Sequence, residues 1–294
     1  VVGDKGFKKF LVVSVFLLPN LIGFLIFIGI PIIASLGISF TEWDLLSEPE
    51  WVGFENYQSL WEDPAFWAAL WHTFYFIIGY IPLVMVGALG IALILNQKVK
   101  GITFFRAAYF IPVVSSWVAV SLIWKWLFNP SYGLVNYALS LIGITGPAWL
   151  HDPNWAMPAI ILTSVWKDLG FVMVIYLAGL QGISKSYYEA ADMDGASSWR
   201  KFWHITLPLL APTTFFVTVI SLINSFQVFD QVMIMTEGGP AGSTSVIVER
   251  IYNHAFRYFE MGYASAISWV LFFIIFAITL LQIRIQKRMV GHGN

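Results

Sequence analysis

Cysteine is absent from the 294 residues, so the chain has no disulfide framework, no thiolate nucleophile and no Cys-ligated metal. Histidine is scarce and scattered, at His72, His151, His204, His254 and His292, and H-E-x-x-H does not occur; no metal site is expected. The phosphate loop G-x-x-x-x-G-K-[ST] is also missing. The nearest text, "GISKSYYEA", lacks the second glycine before lysine, so this chain is not expected to hydrolyse ATP or to hold a cofactor of its own. Charge is thin, at 11% of residues against about 25% in an ordinary soluble domain. The net charge of −1 disfavours nucleic acid as a partner, because phosphate neutralisation needs a basic surface. What remains is 58% hydrophobic and 17% aromatic, the composition of an all-α polytopic protein whose solvent is the lipid bilayer.

Apolar runs long enough to span lie at about residues 11–40, 66–95, 104–128, 156–180, 205–235 and 264–285, six in all and therefore with both termini on one side. The first has the basic-then-apolar order of a signal peptide, but it is about twice a normal h-region in length and has no A-x-A site. It reads as a retained span that tilts or kinks near Pro19 or Pro31. Lysine and arginine orient the set. The N-terminus (Lys5, Lys8, Lys9), the 2–3 connection (Lys98, Lys100, Arg106), the 4–5 connection (Lys185, Arg200, Lys201) and the C-terminal tail (Arg284, Lys287, Arg288) carry twelve, against Arg250 and Arg257 opposite. The termini are thus expected in the cytoplasm of a multi-pass inner-membrane or plasma-membrane protein. The first outer connection is acidic, and Trp43, Trp51, Trp61, Trp67, Trp71, Trp149 and Trp155 flank the outer ends, where interface anchoring accounts for them. No duplicated half of the inverted-repeat kind is visible.

Between the fourth and fifth runs, at about residues 182–205, the chain interrupts itself with polar text. Ser186 followed by Glu189 has capping-box spacing, which predicts a helix beginning at Tyr187 and ending at Gly195. Ser197 or Ser198 can cap a second helix, and Pro208 is expected to kink it. About eight residues make a helix too short to stand alone in water, so something must hold it. Tyr187, Ala190, Ala191 and Asp194 form one face at helical spacing. That face fits either a connector resting on this protein's own helix ends or a plug for another protein.

"EAADMDGASSWRKFWHITLPLL" resembles the cytoplasmic signature of permease subunits of binding-protein-dependent ATP-binding cassette importers: E-A-A, a glycine four residues on, then I-x-L-P. Here those positions are Glu189, Ala190, Ala191, Gly195, Ile205, Leu207 and Pro208. "FFRAAYFIPVVSSWVAVSLIWKWLFNPSYGLVN", "LAGLQGI", "SFQVFDQVMIMTEGGPAGST" and "IYNHAF" are similar to the carbohydrate branch, in its MalF/UgpA-like half. One departure is Ser184, where many relatives have proline. The resemblance implies a type I importer permease that is not itself an enzyme. Its implied partners are a second homologous permease subunit, two ATPase subunits that bind ATP and Mg, and an extracytoplasmic solute-binding protein. It also implies that the helix of Tyr187, Tyr188, Glu189, Ala190, Ala191, Asp194 and Gly195 docks in an ATPase cleft and couples ATP-driven closure to the spans.

Polar groups at membrane depth are costly and functional by default. The fourth run offers Ser164, Trp166, Lys167, Asp168 and Phe171, and the fifth Asn224, Ser225, Gln227, Asp230 and Gln231. Amides, carboxylates and aromatic faces are what a sugar needs. Lys167 and Asp168 diverge by about 100° on a helix, so each needs a separate partner. Pairing with a second permease subunit is the alternative role for Lys167 and Asp230. Lys125 is expected to snorkel to the interface. By resemblance the middle of these spans lines the central cavity. The turn in "TEGGPAGST", with Gly238, Gly239 and Pro240, is either a plain turn or a loop that meets the solute-binding protein. Import of a sugar or oligosaccharide accounts for all these features. Relatives carry maltose-like oligosaccharides, other glycosides and glycerol phosphate, so cargo stays open within that set. An ion-coupled carrier or channel using Lys167, Asp168 and Asp230 leaves the cytoplasmic signature unexplained, and an intramembrane enzyme lacks any nucleophile–base spacing.

Overall fold

A computed structural model describes residues 3–97 and 101–290. Lys98, Lys100 and His292 lie outside them, and the side chains of Lys5, Lys8, Lys287 and Arg288 are not described. In chain order the helices are α1 (Gly3–Phe24), α2 (Ile30–Ile38), α3 (Glu55–Glu62), α4 (Pro64–Leu95), α5 (Ile102–Val114), α6 (Trp117–Leu127), α7 (Leu134–Leu141), α8 (Pro153–Gln181), α9 (Lys185–Met193), α10 (Ser198–Lys201), α11 (Leu207–Leu209), α12 (Ala211–Phe226), α13 (Asp230–Met235), α14 (Ile247–Phe256) and α15 (Met261–Val290). A two-residue hairpin, β1 (Thr41–Glu42) and β2 (Glu50–Trp51), is the only sheet among the described residues. The chain divides into two compact units: Val1–Asp63 with Ile251–Phe272, and Pro64–Arg250 with Phe273–Asn294.

In the first unit, α1 and α2 form one long apolar helix interrupted only by a π-turn at Leu25–Gly29. The turn has a local cause. Pro31 has no N–H, and the ladder shifts one residue before it, with the Ile30 amide donating to Leu25 O instead of the i−4 carbonyl. The expected kink near Pro31 is therefore absorbed as a π-turn. The extracytoplasmic segment that follows is fastened by polar side chains. Asn56 Nδ2 donates to Ser39 O and Thr41 O at 3.0 and 2.9 Å, Tyr263 Oη donates to Asp63 Oδ2 at 2.9 Å, and the Met261 amide donates to Trp43 O at 2.9 Å. Phe40 packs among Trp51, Phe54 and Tyr57 at the root of the hairpin.

The second unit is organised on α4 and α8. Phe76, Tyr80, Val84, Ala88 and Ala92 recur every four residues along α4 and are all buried, a single stripe on one face. Against the same core lie Ile160, Met173, Tyr176 and Leu180 of α8. Small residues set the spacing. A Cβ on Gly79 would come within 2.7 Å of the Ile161 side chain, and one on Gly170 would fall 1.9 Å from the Tyr109 carbonyl oxygen of α5.

Among the described residues four helices are long and apolar enough to cross a bilayer, and up to six spans result if each of two bent pairs counts as one. The run at 104–128 is not straight: α5 and α6 turn by 100° at Ser115–Ser116. Both serines are extended, and Ser116 caps α6 by accepting from the Val118 amide at 3.3 Å. The run at 205–235 bends by 62° at Leu210 and breaks again between Phe226 and Asp230. Trp149 also differs from expectation. It is buried, with its indole N–H on Asn136 Oδ1 at 2.7 Å and its ring against Phe128 and Trp155.

Gly170→Ala should push α5 from α8 and cost about 1–3 kcal/mol as overpacking, seen as a lower unfolding temperature in detergent; Gly90→Ala, with open space around its Cβ position, should not lower it. In the outer hairpin the amide of Ser47, then its hydroxyl and the Leu46 amide, hold the Asp44 carboxyl down to about 2 from the ordinary 3.8. The stabilisation this turn contributes is full above pH 3.8 and lost as pH falls through about 2. An NMR titration of the Asp44 carboxyl should show that midpoint, and Ser47→Ala should raise it.

Candidate functional site

The polar interruption after α8 folds as a stapled pair of elements. α9 begins at Lys185, not Tyr187, and its cap is Ser184: the Ser184 hydroxyl accepts from the Ser186 amide at 3.4 Å and lies 2.8 Å from Ser186 Oγ. The capping box expected from Ser186 and Glu189 does not form. A serine two residues earlier already supplies the acceptor, and Glu189 is exposed, with no hydrogen bond or ion pair among the described residues. The C-terminal end is as expected. Gly195 has φ +70°, its amide donates to Asp192 O at 3.1 Å, and the Ala196 amide donates to Ala191 O at 2.9 Å. These paired bonds close a Schellman motif around a residue that must take the left-handed conformation. Ser197 then caps α10 by accepting from the Arg200 amide at 3.4 Å.

Two contacts tie α9 to the stem that follows. Tyr188 Oη lies 3.0 Å from Thr206 Oγ1, and Lys201 Nζ pairs with Asp192 Oδ1 at 2.6 Å. Tyr188 and Asp192 sit four residues apart and so share the inward face. Tyr187, Glu189, Ala190 and Met193 are exposed, Asp194 is exposed at the cap, and Ala191 is half-buried. The stem holds Ile205 in a π-turn at Phe202–Thr206, where the Leu207 amide donates to Phe202 O directly before Pro208. Proline again forces the ladder to slip by one residue.

Where α12 ends and α13 begins, the helix break gathers polar side chains around a cavity of about 310 Å³. Asp168, Asn224, Ser225, Gln227 and Asp230 line it, together with Phe76, Tyr80, Trp117 and Gln231. Non-helical backbone at membrane depth is tolerated where it borders such a cavity. Tyr80 Oη donates to Asp168 Oδ2 at 2.9 Å, and the Tyr80 ring stacks on Phe76 at 5.3 Å and 10°. Gln231 Nε2 donates to Ser164 Oγ at 3.2 Å, which fixes its amide.

Three residues expected with this group stand elsewhere. Lys167 is buried, donates to Val113 O at 3.2 Å and lies 4.7 Å from the centre of the Trp117 ring. Trp166 packs edge-on to Trp124 at 5.5 Å, and Phe171 is exposed. The 100° divergence of Lys167 from Asp168 sends the two to different partners. Phe76, Tyr80 and Trp117 were not singled out from the sequence. Their signal was the i, i+4 aromatic pair in the second run and a tryptophan directly after a serine cap. Lys125 does not snorkel freely, since its ammonium donates to Ile234 O at 3.1 Å and so satisfies a carbonyl of α13.

The outer turn is held by its own hydrogen bonds. Thr244 Oγ1 donates to Gly239 O at 2.6 Å, Gly238 has φ +81° and is buried beside Glu249, and Pro240 is half-buried. Its exposed residues are Glu237, Ala241 and Gly242.

Over residues 65–291 the chain matches the family described as "Binding-protein-dependent transport system inner membrane component". It is 40% identical over 284 residues to the Probable ABC transporter permease protein YesP of Bacillus subtilis (strain 168), a match covering 95% of this chain and 91% of that protein. It is 39% identical over 274 residues to the Lactose transport system permease protein LacF of Rhizobium radiobacter, covering 91% of each. Among solved structures, a bacterial alginate ABC transporter in complex with an alginate pentasaccharide-bound periplasmic protein superposes with a TM-score of 0.85 at 26% identity, over 97% of both chains.

Gly195→Ala should cost about 1–2 kcal/mol, because an L side chain must then adopt the left-handed region. Amide hydrogen exchange at Gly195 and Ala196 should accelerate about tenfold, and Gly195→Asn should accelerate it less.

Proposed function

This chain belongs to the binding-protein-dependent transport system inner membrane components, and on that premise we propose that it is the permease half of an ATP-driven importer for a sugar or oligosaccharide. A solute-binding protein on the outer face delivers the cargo, and a second, homologous permease subunit completes the pathway. Two ATPase subunits on the cytoplasmic face bind ATP and Mg, for which this chain has no phosphate loop. The observation that carries the reading is α9: a nine-residue helix with both ends capped and two ties to the next stem, which nevertheless leaves Glu189, Ala190 and Met193 exposed. So short a helix is held in place by these ties, while its other face stays open to a partner.

In this reading α9 enters a cleft of one ATPase subunit. Glu189 meets a basic group there, and Ala190 allows close approach. The Tyr188–Thr206 and Asp192–Lys201 contacts carry the displacement into the π-turn and Pro208, and from there into α12, whose far end borders the cavity. Closure and opening of the ATPase pair then expose the cavity to each side in turn. The sugar assignment draws on the lactose permease among the relatives and on the amides, carboxylates and aromatic rings of the cavity. The turn around Gly238, Gly239 and Pro240 is assigned to the receptor side through its exposed neighbours Glu237, Ala241 and Gly242.

The test is sugar- and receptor-stimulated ATPase activity of the reconstituted complex, together with pull-down of the ATPase subunit. Glu189→Lys should lower stimulated activity at least about tenfold by bringing like charges together at the interface. Normal docking and stimulation in that variant would remove Glu189 from the coupling contact. Solute uptake by this chain and its permease partner without any ATPase would overturn the importer reading itself.

A further inference from the structure

The cavity carries charge of one sign. Asp168 and Asp230 both border it, and no lysine or arginine does among the described residues. The nearest cation in sequence, Lys167, does not line it: its ammonium is engaged by the Val113 carbonyl and the face of Trp117, and it acts on Asp168 only through space. Tyr80 spends its one O–H on Asp168, which leaves that carboxylate with further acceptor capacity toward the cavity. The remaining polar lining is amide and hydroxyl, able to donate and accept, and two stacked aromatic rings supply an apolar wall.

We propose that this lining makes the cavity a filter for neutral sugars, which admits uncharged polyhydroxyl solutes and turns back uronates and sugar phosphates. The proposal rests on the importer reading and narrows its cargo. A neutral sugar offers hydroxyl donors to each carboxylate and C–H faces to Phe76 and Tyr80. An anionic sugar of the same shape loses those donors where its carboxylate falls and meets two like charges across the cavity. No cation in the lining compensates. Sugar phosphates and polyuronates are therefore excluded from this chain's cargo, although the solved transporter that shares its fold imports the polyuronate alginate.

The experiment uses the assembled complex of both permeases and the ATPase pair in nanodiscs, without the solute-binding protein, so that the receptor's own selectivity does not enter. Maltose, lactose and cellobiose are titrated against tryptophan fluorescence and calorimetry, each beside its aldobiouronic acid counterpart. The neutral sugar that binds should do so at least about tenfold more tightly than its acid partner. In the Asp168→Asn, Asp230→Asn double variant the two should come within about threefold of each other. Raising salt to roughly 0.5 M should narrow the wild-type ratio as well, a readout that does not depend on the variant folding.

Equal binding of neutral and acidic sugars in the wild type overturns the filter, as does a ratio that neither salt nor the double variant moves. If none of the sugars binds the receptor-free complex while receptor-delivered sugar still stimulates its ATPase, the filter is again wrong and the importer reading stands. If receptor and sugar together also leave the ATPase unmoved, the importer reading falls with it.

Discussion

The second unit depends on the close approach of α4 and α8. In a bilayer, lipid tails are as apolar as leucine, so helices gain little from burying greasy surface against each other and associate through packing and interhelical hydrogen bonds. The stripe of Phe76, Tyr80, Val84, Ala88 and Ala92 meets that requirement, with large residues toward one end of α4 and alanines toward the other. Gly79 and Gly170 remove side chains where Ile161 and the α5 backbone pass closest. The same approach brings Tyr80 within hydrogen-bonding distance of Asp168. Helix spacing and the chemistry of the cavity are therefore one constraint, since any side chain that widens the interface also loosens the carboxylate's donor.

Proline acts in this protein by a repeated local device. Before Pro31 and before Pro208 the preceding amide reaches back five residues, and a π-turn takes up the missing donor. In the first case the long helix continues almost undisturbed. In the second the π-turn lies between two other interruptions, the Schellman motif at Gly195 and the bend at Leu210. Thr206, at the end of that π-turn, also receives Tyr188. A region with so few unbroken turns can change angle without breaking a long ladder, which suits a joint between a short capped helix and a span.

Much of the site was legible because it was written locally. Gly195 as the terminator of a short helix, a cap at Ser197 or Ser198 and the need for separate partners for Lys167 and Asp168 follow from backbone sterics and helical geometry; the structure has each of them, with Ser197 as the cap. Capping at the start of α9 was misassigned because Ser184 and Ser186 both have a suitable side chain, and spacing alone cannot rank them. Trp149 was expected at the interface because tryptophan near a span's end usually sits there; in the structure it is buried, with its indole N–H on Asn136, thirteen residues earlier. Phe76, Tyr80 and Trp117 were missed for the same reason. Which face of an apolar helix looks into a cavity is decided by neighbours distant in sequence.

The sequence by itself determined the solvent of this protein, the number of apolar runs, their orientation through lysine and arginine, and the cytoplasmic signature with its capped helix. These depend on transfer free energies, charge placement and φ/ψ preferences, all of which act on single residues or on neighbours a few positions apart. The tertiary structure decided that the third run turns through 100°, that the fifth breaks where its amides and Asp230 gather, and that Lys167 is withdrawn from the cavity while Asp168 stays in it. Those outcomes depend on which backbone carbonyls and aromatic faces arrive from other helices. A polar group in a bilayer takes whichever partner packing brings within reach, and packing is a property of the assembled helices.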